Sequence, residues 1–296
     1  MSLAQPDASE NNREWIAPVG GIGDMLMLSG VLKQVIDGDP RRRFNLLRRT
    51  NYLAILDGHP AIAQFGFPPK GTELKRTDYW GLEDVGPGTQ RPFQILARYY
   101  GLATPAQEIL YVPPPEEPHF PLLDFIPWKS LNILIAPASD SPRKVAAPYI
   151  WHHLVDLLHT DGAFVLQGGR LTDVHIRNAY SVLGLTTPRQ YIALLRRCTL
   201  VITSDNFAMH AAHYAGVPAI ALWGATRHAV YGYPEQLHIQ MPRQCGLMEP
   251  EDCIAPERSN HGLAYTTECP MHEKHCLDQT RAETILDAVR SVLSSL

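Results

Sequence analysis

From Leu131 onward, short and almost wholly apolar runs alternate with stretches whose apolar residues recur at helical spacing. Uninterrupted apolar runs read as strands buried on both faces of a parallel sheet, and the amphipathic stretches read as helices that cover it. The pattern predicts strands over 131–136, 163–167, 200–203 and 217–222, with helices over 148–160, 171–181, 188–197 and 206–215. Pro148 and Pro188 stand in the first turns of two of these helices, where the missing N–H would have had no partner anyway. This is a doubly wound α/β layout. The chain before it repeats the pattern more loosely, with strands near 15–19 and 43–48 and helices near 23–37 and 91–100.

Between the two halves, Tyr111 to Pro121 carries Pro113, Pro114, Pro115, Pro118 and Pro121, a composition that forbids helix and favours an extended connector. The expected organisation is a disordered tail over 1–12, a Rossmann-like domain over 13–121, a second over 122–280, and a closing helix over 281–296.

Two segments carry candidate chemistry. In the second half, Leu200 to Thr203 runs into Ser204-Asp205-Asn206-Phe207-Ala208-Met209-His210, so polar groups stand at the carboxyl end of a strand, where open α/β sheets bind ligands. A helix beginning near Asn206 would aim free backbone N–H groups and its positive dipole end at that crevice, which suits a phosphate. His210 either packs and orients the turn or takes part in chemistry. In the first half, Gly20-Gly21-Ile22-Gly23-Asp24 makes a tight strand-to-helix turn. A carboxylate in that first helical turn, Asp24, is either a cap or a reactive base.

Together with Gly216-Val217-Pro218-Ala219-Ile220-Ala221-Leu222-Trp223-Gly224, these segments resemble glycosyltransferase family 9, the heptosyltransferase family of lipopolysaccharide assembly. Its motifs are a G-G-[IL]-G-D turn, a D-x-x-x-[MA]-H-[LA]-A helix and a following G-x-P-x-[IV]-A strand. Ser139 to Lys144 resembles the family's diphosphate loop, Phe164 to Gly169 its second strand, and Cys269-Pro270 through Cys276 its closing segment. The resemblance spans roughly 15–293 and is densest in the second half.

The resemblance implies a GT-B architecture of two Rossmann-like domains facing a cleft, and single inverting displacement from a nucleotide sugar, here ADP-heptose. Acceptor activation needs a base, and the leaving diphosphate needs cations or N–H donors. The resemblance puts Asp24 in the first role and Lys144 in the second. It assigns donor binding to Gly21, Gly23, Ser139, Ser141, Arg143, Gly168, Asp173, Asp205, Asn206, Phe207, His210 and Thr226. Phe207 stands where the family usually has glycine, so it is expected to narrow the sugar pocket. Arg170 stands where some relatives carry an acid that grips ribose, with Asp173 as a substitute. No D-x-D signature stands at a strand end, and metal-independent transfer with no required cofactor is expected.

Composition narrows the reading further. A net charge of -4 in 296 residues argues against a general nucleic-acid binder. Apolar runs near Ile133 and Ala219 fall well short of the ~20 residues that span a bilayer, and the N-terminus lacks a cationic and apolar signal pattern. A cytoplasmic protein is expected. Arg41-Arg42-Arg43 and Arg48-Arg49 are either solvated strand margins or contacts for an anionic glycolipid acceptor at the inner leaflet. Cys245, Cys253, Cys269 and Cys276 cluster near the C-terminus without a C-x-x-C knuckle, and read as reduced thiols, a structural zinc site or a disulfide. Cys198 reads as a small buried hydrophobe. Alternative functions are transfer of another nucleotide sugar to polysaccharide or protein, and non-catalytic sugar-nucleotide binding.

Overall fold

A computed structural model describes residues 13–48, 51–82, 90–103, 106–114, 119–242 and 276–296. The chain divides into two compact units, Met1–Leu82 with Phe93–Pro115, and Glu83–Pro92 with Glu116–Leu296. Each has a parallel sheet of its own.

The first unit holds β1 (Glu14–Ile16), α1 (Ile22–Gly38), β2 (Phe44–Leu47), β3 (Ile62–Gly66), β4 (Leu74–Lys75) and α2 (Pro92–Tyr99). Its strands lie in the order β3-β2-β1-β4, all parallel. Ile16, Phe44 and Leu46 from the sheet and Leu26, Leu28, Val31 and Leu32 from α1 are fully buried and build the core. The turn from β1 into α1 depends on Gly20, which has φ +110°, and a Cβ there would fall 2.3 Å from an Asp24 carboxylate oxygen. Arg42 of the basic run is held inside this unit. It bonds the Tyr100 carbonyl at 2.7 Å, reaches Glu14 at 3.3 Å and lies over the Phe44 ring. Arg41 and Arg48 are exposed.

The second unit contains α3 (Leu122–Phe125), β5 (Asn132–Ala136), α4 (Pro148–Thr160), β6 (Phe164–Gln167), β7 (Tyr180–Ser181) and α5 (Pro188–Leu195). It continues through β8 (Leu200–Ser204), α6 (Phe207–Ala215), β9 (Ala219–Trp223), α7 (His228–Tyr231), β10 (Leu237–Gln240) and the closing helix α8 (Ala282–Leu293). The six-stranded order is β10-β9-β8-β5-β6-β7, again all parallel. Every residue of β5, β8 and β9 is buried, as their uninterrupted apolar runs require. On one face, α4 buries Ile150, Trp151, Leu154, Val155 and Leu158 in a core shared with Ile285, Leu286 and Val289 of α8.

One expected element is absent. Residues 171–181 form turns and the two-residue strand β7 instead of a helix. Side chains from elsewhere take the backbone groups that a helix would have paired: Gln167 accepts from Ile176 N and donates to the Val174 carbonyl, both at 2.7 Å, and His152 Nδ1 accepts from Arg177 N. Asn178 sits at φ 63°, outside the helical region. Among the described residues no helix is long and apolar enough to cross a membrane.

Candidate active site

In the six-stranded sheet β8 lies between β5 and β9, so the loops leaving their carboxyl ends are neighbours. Local hydrogen bonds stitch them together. Ser204 Oγ donates to the Pro137 carbonyl at 2.9 Å, and Ser139 Oγ donates to the Asp205 carbonyl at 3.0 Å. Asn206 caps α6 by accepting from Ala208 N at 2.7 Å, while its amide donates to the carbonyls of Ala136 and Ala138. One residue thus starts the helix and fixes the spacing between two loops.

Asp205 is the point on which these loops converge. Lys144 Nζ, at the end of the turn Pro142–Lys144, lies 2.8 Å from Asp205 Oδ2, and Thr226 Oγ1, beyond β9, donates to the same oxygen at 2.6 Å. The Lys144 and Asp205 side chains are only 8% and 7% exposed. Burial pushes the Asp205 carboxyl upward, but the adjacent ammonium and the hydrogen bonds from Lys144 and Thr226 outweigh it and hold the group below its ordinary value. Asp205 is therefore ionised and a weak base. Arg143 is also buried, and the fully buried Ser141 hydroxyl has no hydrogen-bond partner among the described residues.

His210, in the second turn of α6, is buried, and its Nδ1 lies 2.7 Å from the Tyr233 hydroxyl. Burial drives its pKa down to about 4 against the opposing pull of Asp205, so the ring is neutral at physiological pH.

Other expected donor-site residues are engaged elsewhere. A Cβ at Gly168 would sit 2.6 Å from the Tyr191 ring, so this glycine serves close packing against an aromatic. Phe207 is half-buried with its ring 5.7 Å from that of Tyr191. Asp173 accepts from Arg170 N at 2.7 Å and from its Nε at 3.0 Å, and the same guanidinium pairs with Asp140. Arg170 thereby clasps the loops after β5 and β6. Burial pushes the Cys198 thiol up to about 12, which removes it as a nucleophile.

In the first unit Gly21 is the residue preceding α1, and its N–H donates to Asp24 Oδ2 at 2.7 Å. Gly23 is buried in the same turn and Asp24 is half-buried. This geometry is that of a cap.

The structure thus brings Ser139, Lys144, Asp205, Asn206 and Thr226 together, couples His210 to them electrostatically, and holds Asp173 through Arg170, whose guanidinium also donates to the Ser139 carbonyl at 3.4 Å. Sequence reasoning missed Tyr233, which no motif or spacing marks, and read Asp140 only as part of a loop, without its pairing to Arg170. Among the described residues no cluster of His, Cys, Asp or Glu is arranged to hold a metal. Cys245, Cys253 and Cys269, together with Arg49, the tail 1–12, Pro115 and Pro118, lie outside the described residues, while Cys276 is described and half-buried.

Two parallel α/β units, one with a cation and a helix start gathered at the carboxyl edge of its sheet, define the construction of GT-B glycosyltransferases. The model of glycosyltransferase family 9 (heptosyltransferase) matches residues 87–245, and the chain belongs to that family. No curated protein matches. Among solved structures, a family 9 glycosyl transferase from Veillonella parvula DSM 2008 is similar at 15% identity and a TM-score of 0.67, over 96% of this chain and 97% of that one. The iron-containing dodecameric glycosyltransferase TibC from enterotoxigenic E. coli H10407 is similar at 15% identity and a TM-score of 0.71, over 96% of this chain and 76% of that one. The E. coli ADP-heptose lps heptosyltransferase II is similar at 15% identity and a TM-score of 0.57, over 84% and 98%. These likenesses are of fold.

Proposed function

We propose that the chain is an inverting glycosyltransferase that moves heptose from ADP-heptose to a hydroxyl of a lipopolysaccharide-type or other glycan acceptor. The observation that carries this reading is the buried Lys144–Asp205–Thr226 cluster beside the start of α6, in a chain of this family. TibC has been solved with ADP-D-beta-D-heptose, which supports the choice of donor.

In the proposed reaction the diphosphate lies along the loop 139–144, and the N–H groups at the start of α6 meet its oxygens. Lys144 is held by Asp205 before the donor arrives, so its ammonium is pre-positioned and its charge compensated. As the glycosidic bond to the leaving diphosphate breaks, negative charge grows on the bridging oxygen and the ammonium stabilises it. Asp24 accepts the proton of the acceptor hydroxyl as that oxygen attacks the anomeric carbon from the opposite face, which inverts its configuration. Asp205 is unsuited to that task, because the groups that bind it hold its basicity down.

The transfer proceeds without a metal. Cys245, Cys253, Cys269 and Cys276 are a separate proposal: four thiolates suit a structural zinc, and TibC's being iron-containing makes iron the alternative. The protein acts in the cytoplasm, with peripheral contact at the inner membrane face through exposed Arg41 and Arg48.

Turnover of ADP-, UDP- and GDP-sugars, each measured with and without EDTA, tests this reading. ADP-heptose should be consumed fastest, at a rate that EDTA leaves unchanged. Preference for a UDP- or GDP-sugar would replace the donor, and loss of turnover restored by Mg²⁺ would overturn the metal-free mechanism.

A further inference from the structure

Two histidines are buried and neutral, one in each unit, and they differ in how their ring nitrogens are used. His59 is satisfied at both: Nδ1 accepts from Ala61 N at 3.0 Å, which leaves the proton on Nε2, and Nε2 donates to the Ser29 carbonyl at 3.0 Å. Nothing remains for a ligand. His210 bonds only the Tyr233 hydroxyl, through Nδ1, and its Nε2 has no hydrogen bond among the described residues. Unlike the Ser141 hydroxyl, that nitrogen is not fully enclosed, so an incoming acceptor can reach it. His210 is on the helix whose start carries Asn206, and it is electrostatically coupled to both Asp205 and Lys144.

We propose that Tyr233 is a positioning residue of the donor site: its hydroxyl donates to His210 Nδ1, keeps the ring proton on Nε2, and so presents an N–H donor to an oxygen of the nucleoside-diphosphate sugar. This rests on the donor site proposed above. A phenol is a stronger hydrogen-bond acid than an imidazole N–H, and the imidazole nitrogen is the stronger acceptor, so the 2.7 Å contact favours donation by tyrosine.

Tyr233 is built to hold that position. It is 2% exposed, its ring lies flat on His213 with centroids 3.8 Å apart and planes 6° apart, and His213 in turn pairs with Glu235. Its carbonyl bonds His238 Nε2 at 2.9 Å. A donor fixed before the ligand arrives needs no reorganisation when charge develops.

The choice of a phenol also has an electrostatic reason. A carboxylate on Nδ1 would favour imidazolium, and that cation would repel Lys144 and compete with it for Asp205. The groups acting on His210 besides burial are Asp205, which favours the charged ring, and Lys144, His213 and Arg91, which oppose it. Tyrosine fixes the tautomer and leaves that balance on the neutral side.

The test is long-range ¹H–¹⁵N NMR of His210 in the full-length ¹⁵N-labelled chain, combined with kinetics of Tyr233→Phe, which keeps the ring stack and removes the hydroxyl. The parent should show only the Nε2–H tautomer between pH 6 and 8. Y233F should show a mixture of tautomers, with kcat lower by about tenfold, the worth of roughly one hydrogen bond. An Nδ1–H tautomer in the parent overturns the proposal, even if the variant fails to fold. So does Y233F with an unchanged kcat, or with a lower kcat and an unchanged tautomer. Failure of the donor-site reading is seen separately, because a parent that binds no ADP and turns over no nucleotide sugar still yields its tautomer.

Discussion

Asp24 and Asp205 both follow a parallel strand and stand at the start of a helix, Asp24 in the first turn of α1 and Asp205 just before the cap of α6. Asp24 is half-buried and accepts a backbone N–H from its own turn, whereas Asp205 is 7% exposed and bound by an ammonium and a hydroxyl. Two acids near the strand-to-helix turn of similar supersecondary units, one inside the helix and one before its cap, therefore carry two chemistries. A partly exposed carboxylate suits taking a proton from a neighbour, while one neutralised by a buried cation fixes charge and geometry. The comparison separates the proposed base from the proposed anchor of the donor site without reference to any ligand.

The comparison predicts its largest effect on stability at Asp205. Asp205→Ala removes the buried carboxylate that Lys144 and Thr226 both bind and should cost about 3–5 kcal/mol, measured by urea unfolding. Asp24→Ala should cost no more than ~1–2 kcal/mol, the range for lost helix caps. Equal losses at the two sites would remove the distinction.

Acid should produce an effect of comparable size. His59 and His210 have folded-state values of about 4 against the ordinary 6.5. Between those limits the unfolded chain binds protons that the folded chain does not. Their contribution is therefore fully present above pH 6.5 and is lost as pH falls toward 4, by on the order of 3 kcal/mol each. Thermal melting from pH 7 to 4 should fall across that window, and a flat profile would contradict the buried neutral rings. Asp205, with its value lowered, adds to the loss only as pH falls below the ordinary carboxylate value of 3.8.

Phe207 gives the smallest effect. Its ring meets Tyr191 instead of standing free in the loop, yet it is only half-buried. Phe207→Gly should shift or broaden the donor sugars accepted, while affinity for free ADP changes by less than roughly 1 kcal/mol. Competing donors assayed with parent and variant decide it. Lost ADP binding with an unchanged sugar ranking would make Phe207 a support of the turn.

The elements around Asp205 were legible because their signals agree. Continuous apolar runs mark β5, β8 and β9 as fully buried, and Pro148 starts α4 where the structure places it. The segment 171–181 misled because its apolar spacing suits a helix, while Gln167 and His152, from other elements, claim its backbone. β10 was missed although its alternation of Leu237, His238, Ile239 and Gln240 is bounded by Pro234 and Pro242. At the site, sequence marked Lys144, Asp205 and Thr226 as three separate ligand groups. That two of them converge on the third is a product of strand order, which places β5, β8 and β9 side by side. The Tyr233–His210 contact, 23 positions apart in the chain, has no local signature at all.

Parallel measurement of ADP-heptose binding by calorimetry and of transfer rate, on parent and Asp24→Asn, tests the central claim most directly. A lost general base acts on the transition state, so donor affinity should be nearly unchanged while transfer falls by about 10²- to 10⁴-fold. Equal turnover by the two proteins would make Asp24 a helix cap alone and contradict the mechanism.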